Sequence, residues 1–81
     1  MIVRVLYFAS LSDRAGASEE TIEVPDTFDV AALWADLQER HPRLREVTTR
    51  PLAACDMIYA AWDRPLCGIL EVAFLPPVSG G

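Results

Sequence analysis

Residues 29–42 read DVAALWADLQERHP, and the fold turns on that stretch. Val30, Leu33 and Leu37 recur at spacings of three and four with Trp34 beside them, which places the apolar side chains along one stripe of a helix. Asp29 suits the N-cap, because a carboxylate there accepts from an otherwise unpaired N–H of the first turn. Pro42 stops the helix, since its ring removes a donor and disfavours helical geometry at the residue before it. The spacing predicts one amphipathic helix over 30–41, whose apolar face must be covered.

Strand-like segments on either side can cover it. IVRVLYFA (2–9) is rich in β-branched and aromatic residues and reads as a strand. SLSDRAGAS (10–18) has turn residues and room for one short helical turn. EETIEV (19–24) alternates polar and apolar and reads as a second strand, stopped by Pro25. Beyond the helix, PRLREVTTRP (42–51) is a polar connection with room for another helical turn. PLAACDMIYAAW (51–62) is apolar enough for one strand, or for two broken near Asp56 and Met57. DRPLCGIL (63–70) is a turn region and EVAFL (71–75) the last strand. The order β-β-α-β-(β)-β predicts an α+β fold: a mixed sheet with one principal helix on one face and the other face open to solvent.

Parity along the strands sorts the two faces. Arg4 is too costly to bury unpaired, so Leu6 and Phe8 share its open side, while Val3, Val5 and Tyr7 point to the helix. Glu71 places Ala73 and Leu75 on the open side as well, and sends Val72 and Phe74 inward. Phe8 and Leu75 then stand as solvent-facing apolar groups beside the end of the last strand. Burying each against a partner would contribute roughly 1.5–3 kcal/mol.

Composition narrows the function. The 81 residues make one small domain, 52% hydrophobic and 23% charged, which is globular rather than disordered. No apolar run approaches the roughly 20 residues that span a bilayer, and no cleavage-site pattern follows MIVRVLYFAS, so a cytoplasmic location is expected. Net charge is −5, and the seven basic residues are arginines scattered along the chain, which argues against nucleic acid and anionic membrane as partners. An acidic domain of this kind can dock on a basic protein. With no lysine, the only amine is the N-terminus. Cys55 and Cys67 fit no zinc pattern and are expected to be small buried or half-buried hydrophobes. His41 sits at the predicted helix end, where the helix dipole favours a cation, and no nucleophile or carboxylate dyad accompanies it.

The last stretch, PPVSGG (76–81), asks for a different explanation. Pro76 and Pro77 fix φ and favour an extended conformation, and six such residues reach about 20 Å. Gly80 and Gly81 have no side chain, so their backbone can enter a channel too narrow for a Cβ. The distinctive group at the tip is the α-carboxylate of Gly81, a poor electrophile until activated as an acyl adenylate or thioester. A body over 1–75 carrying a tail over 76–81 is the expected organisation.

These residues carry a resemblance. VRVLYFASLSDRAG near the start, ERHP at the helix end, WDRPL at 62–66 and above all EVAFLPPVSGG at 71–81 resemble the MoaD branch of the MoaD/ThiS sulfur-carrier family, over the whole chain. The resemblance implies a β-grasp, ubiquitin-like fold, in agreement with the element order. It implies that an activating enzyme uses ATP to adenylate Gly81, which becomes a thiocarboxylate. The tail would then enter the large subunit of molybdopterin synthase, in a heterotetramer, and give its sulfur to cyclic pyranopterin monophosphate. On this reading the chain is no enzyme by itself and binds no cofactor or metal. Gly81 bears the reactive group, Gly80 provides clearance, and Pro76, Pro77, Val78 and Ser79 line the partner's tunnel. Phe8, Tyr59 and Leu75 form the apolar docking patch, Tyr59 on the resemblance alone.

Two positions depart from the family pattern. Asp56 stands where Asn is common, so a donated hydrogen bond is expected to be lost. Gly68-Ile69-Leu70 replaces a polar Asp-Gly-Asp turn, which is expected to alter that loop. Three other readings stay open: a sulfur carrier for thiamine or cysteine synthesis, a protein modifier joined to target lysines through the same carboxylate, and an interaction module with an inert tail.

Overall fold

A computed structural model describes residues 1–77. Five strands form one sheet: β1 (Ile2–Tyr7), β2 (Glu19–Glu23), β3 (Leu52–Cys55), β4 (Ile58–Ala60) and β5 (Glu71–Leu75), in the order β2-β1-β5-β3-β4. β1 and β5 run parallel, with Val5 opposite Val72 and Tyr7 opposite Phe74, and every other pairing is antiparallel. The sheet is therefore mixed, with the last strand in its centre.

One face is covered by α2 (Val30–Arg40), which begins and ends where capping chemistry puts it. The Asp29 carboxylate accepts from Ala32 N–H at 2.8 Å, and Pro42 opens a short 3₁₀ helix over Pro42–Glu46. Val30, Leu33, Trp34 and Leu37 are all buried, so Trp34 belongs to the apolar stripe rather than flanking it. They meet Val3, Val5, Tyr7, Val72 and Phe74, the strand residues that parity turns inward. The Phe74 ring centre lies 5.0 Å from that of Trp34 and 6.3 Å from that of Trp62. Arg50 rests its guanidinium carbon 4.7 Å above the Trp62 ring, sealing the cluster's edge.

Three local features go beyond the periodicity. The first strand ends at Tyr7 rather than at residue 9, because Ala9 takes φ +52° and turns the chain into α1 (Ser10–Ala15). Gly16 closes α1 in the left-handed region and donates to the Ser12 carbonyl at 2.9 Å. The apolar run 51–62 is two strands, joined by Asp56 and Met57 with φ of +48° and +72°, as a two-residue primed hairpin turn requires. In the loop that replaces the polar turn, Ile69 is buried and Leu70 is exposed. Cys55 is buried as expected, but Cys67, beside the positive-φ Gly68, is exposed.

The one histidine closes a polar cluster at the helix end. His41 caps α2 and places Nε2 2.6 Å from the Glu20 carboxylate, which also accepts from the Tyr7 hydroxyl at 2.5 Å. Burial, then the bond to Glu20, pushes the Tyr7 hydroxyl well above the ordinary tyrosine range.

Phe74 is wholly buried between α2 and the sheet, so Phe74→Ala should cost about 3–5 kcal/mol. Urea unfolding of both chains checks this; a loss under about 1 kcal/mol would show that Phe74 is not the centre of the core.

Candidate functional site

The open face of the sheet is divided. Towards β2 it is charged, with Arg4 held by Glu19 at 3.1 Å and by Glu71 at 3.5 Å. Towards β4 it becomes an apolar hollow lined by Leu6, Phe8, Ala54, Met57, Tyr59 and Leu75, with Ala73 and Glu71 at its floor and edge. Register explains the gathering. Leu6 pairs with Ala73 across β1 and β5, Ala73 pairs with Ala54 across β5 and β3, and Ala54 pairs with Tyr59 across β3 and β4. Since facing residues share one side of a sheet, one row of side chains runs from β1 to β4.

The structure thus brings Phe8, Tyr59 and Leu75 around one concavity beside the exit of β5. Phe8 is 45% exposed and Tyr59 70%, whereas Leu75 is half-buried rather than fully solvent-facing. The reason is its place opposite Leu52, which is itself exposed on this face. Ala73, placed on the wet side by parity, is buried because its small side chain lies between Leu6 and Ala54. Leu52 and Met57 were not among the residues singled out from the sequence. Met57, 89% exposed, is carried to the hollow by the hairpin turn, and Leu52 by its pairing with Leu75. Neither signal exists before the pairing of the strands is known.

Pro76 and Pro77 are half-buried and continue directly from β5. Val78, Ser79, Gly80 and Gly81, to which the tunnel-lining and reactive roles fall, lie outside the described residues.

Asp56 has a role other than the one its departure from the family pattern suggests. Its carboxylate accepts from Glu71 N–H at 2.9 Å and from Leu70 N–H at 3.1 Å, while its own N–H donates to the Glu71 carbonyl at 2.9 Å. The position acts through an acceptor, which aspartate supplies as well as asparagine does. It ties the β3–β4 turn, with Met57 at its tip, to the start of the strand that leads to the tail.

Among the described residues, no group of three or more His, Cys, Asp or Glu side chains is placed to hold a metal, and no helix is long and apolar enough to cross a membrane.

A mixed sheet wrapped on one principal helix, with the last strand central and leading out beside an apolar hollow, defines the ubiquitin-like β-grasp class. Within it, the chain belongs to the ThiS family, which it matches over residues 5–81. It is 35% identical to the human molybdopterin synthase sulfur carrier subunit, over 98% of this chain and 93% of that one. Its counterpart in Mycobacterium tuberculosis is 36% identical, over 98% of this chain and 96% of the other. The fold is similar to that of the small archaeal modifier SAMP1 from Haloferax volcanii, with a TM-score of 0.83 and 25% identity over the whole of both chains. It is also similar to a chain in the complex of subunits 1 and 2 of the Helicobacter pylori molybdopterin-converting factor, with a TM-score of 0.66 and 28% identity over the whole of both chains.

Asp56→Ala removes the acceptor and leaves an alanine at positive φ, and should cost about 1–3 kcal/mol. Asp56→Asn should cost clearly less; equal losses in urea unfolding would show that the acceptor does not hold the turn.

Proposed function

We propose that this chain is the sulfur-carrier subunit of molybdopterin synthase in molybdenum cofactor biosynthesis. The observation that carries the reading is the similarity, along nearly its whole length, to carriers of that name, in a fold that leads its last strand out beside an apolar hollow. The body over 1–75 holds the tail, and the tail over 76–81 does the work. An activating enzyme binds ATP; a carboxylate oxygen of Gly81 takes the adenylyl group and pyrophosphate leaves. A sulfur nucleophile then displaces AMP, and the carbonyl carbon keeps the sulfur as a thiocarboxylate. Gly80 and Gly81 pass where a Cβ would clash, and Pro76, Pro77, Val78 and Ser79 line the tunnel of the large subunit. There the sulfur is given to cyclic pyranopterin monophosphate.

Phe8, Tyr59 and Leu75, with Leu52 and Met57 at their margin, form the surface that seats the large subunit. Support for such a partner comes from the two-subunit Helicobacter complex. The heterotetramer belongs to the same reading, as does a cytoplasmic location. The chain supplies no catalytic constellation and no cofactor of its own; ATP is bound by the activating partner.

The likeness to SAMP1 favours a second reading, in which Gly81 is joined to a lysine of a target protein. The chain has no lysine on which to extend a polymer, which leaves single attachment. Gly81 found linked to target lysines in cell extracts would favour it.

The test is to incubate the chain with its activating enzyme, ATP and a sulfur source, and to weigh it intact. Replacement of one oxygen by sulfur at Gly81 is the expected result, and its absence sinks the reading. Phe8→Asp should leave that step largely intact but lower affinity for the large subunit at least about tenfold, because docking must desolvate a charge. Unchanged affinity in calorimetry would remove Phe8 from the interface.

A further inference from the structure

The root of the tail has two sides of different chemistry. On the sheet side, Leu75 borders the apolar hollow. On the helical side, Pro76 and Pro77 form one wall of a separate groove between α1 and the segment after the 3₁₀ helix. Its floor is the buried Leu11 and Pro51, and its rim is polar, with Arg14, Glu46, Thr48 and Thr49. The Arg14 Nη1 lies 2.7 Å from the Glu46 carboxylate, joining α1 to the far wall. The Arg14 side chain remains one-third exposed, so guanidinium donors face outward beside that pair.

Position makes this groove more than a surface irregularity. A protein that encloses residues 78–81 must pass over Pro76 and Pro77, and so comes against the groove those prolines wall. The groove is thus continuous with the docking surface proposed above. Lasting assemblies favour apolar contact surfaces, while polar, charge-bearing ones suit complexes that form quickly and part again. A carrier must leave its activating enzyme after every cycle. Resting on the proposed function, we infer that the groove walled by Arg14, Glu46, Thr48, Thr49 and Pro76–Pro77 is a second docking surface, which receives an acidic side chain of the activating enzyme against Arg14. The apolar hollow carries the longer-lived complex with the large subunit. The chain thereby presents a different side of the tail root to each of its two partners.

The experiment measures the rate of thiocarboxylate formation against carrier concentration, with activating enzyme, ATP and sulfur source, and in parallel the affinity for the large subunit by calorimetry. The variants are R14E, T48R and the exchange R14E/E46R, each checked for folding by circular dichroism. R14E and T48R should raise KM for the carrier about tenfold with kcat little changed, and leave affinity for the large subunit as it was. R14E/E46R restores an ion pair across the groove yet should keep the raised KM, because the charge facing the enzyme remains reversed. Added salt should raise KM of the parent. Unchanged KM in R14E and T48R overturns the inference, and so does return to the parental value in R14E/E46R, which would make the pair a staple only. Equal loss of affinity for the large subunit also overturns it. A parent that acquires no sulfur overturns the functional reading and the groove's assignment together, whereas normal sulfur acquisition by every variant overturns the groove alone.

Discussion

The parallel pairing of β5 with β1 is the constraint on which the rest depends. β5 lies between β1 and β3, so each of its edges is bonded to a neighbour, and Phe74 fixes it from below among Trp34 and Trp62. A strand held in this way cannot slide without turning its apolar row to water, because a slip of one residue exchanges the two faces. The point where the chain leaves the body is therefore set by the best-packed part of the molecule. Leu75 and Pro76 emerge at a defined place beside Phe8 and Leu52, and a tail presented from a rigid root needs less ordering when a partner takes it up.

The same arrangement separates the two faces of the sheet by chemistry. The face against α2 is filled by Val3, Val5, Val72 and Phe74, with no buried side-chain polar atom left unpaired among the described residues. The open face is graded, with carboxylates and Arg4 towards β2 and an apolar hollow towards β4. Much of the chain's cationic charge is engaged locally, Arg4 with Glu19 and Glu71, Arg14 with Glu46 and Arg40 with Asp36. Such exposed pairs contribute little to stability, and their greater effect is on which partners approach and how fast.

Much of this was legible in the amino-acid order, where one period dominates. The 3.6 spacing of Val30, Leu33 and Leu37, the cap at Asp29 and the stop at Pro42 delimit α2 to within a residue. Period two on β1 and β5 sorts their residues into faces, and only the depth of burial of Ala73 and Leu75 differs, because depth depends on neighbours from other strands. What could not be read depends on contacts distant in sequence or on backbone angles. The split of 51–62 into two strands rests on positive φ at Asp56 and Met57, and methionine is an unusual residue for such a turn. The acceptor role of Asp56 needs the start of β5 beside it, and Leu52 and Met57 join the hollow only through pairing. The groove on the helical side is built from α1, the 3₁₀ region and the tail root, which no local pattern associates.

The central claim is that the carboxyl group of Gly81 bears the sulfur and that the folded body serves to present it. The most direct measurement is a single turnover of cyclic pyranopterin monophosphate by the large subunit, supplied either with the thiocarboxylated chain or with a chain lacking Gly81 taken through the same activation. The account predicts dithiolene formation with the first and none with the second. Equal rates from the two would contradict it.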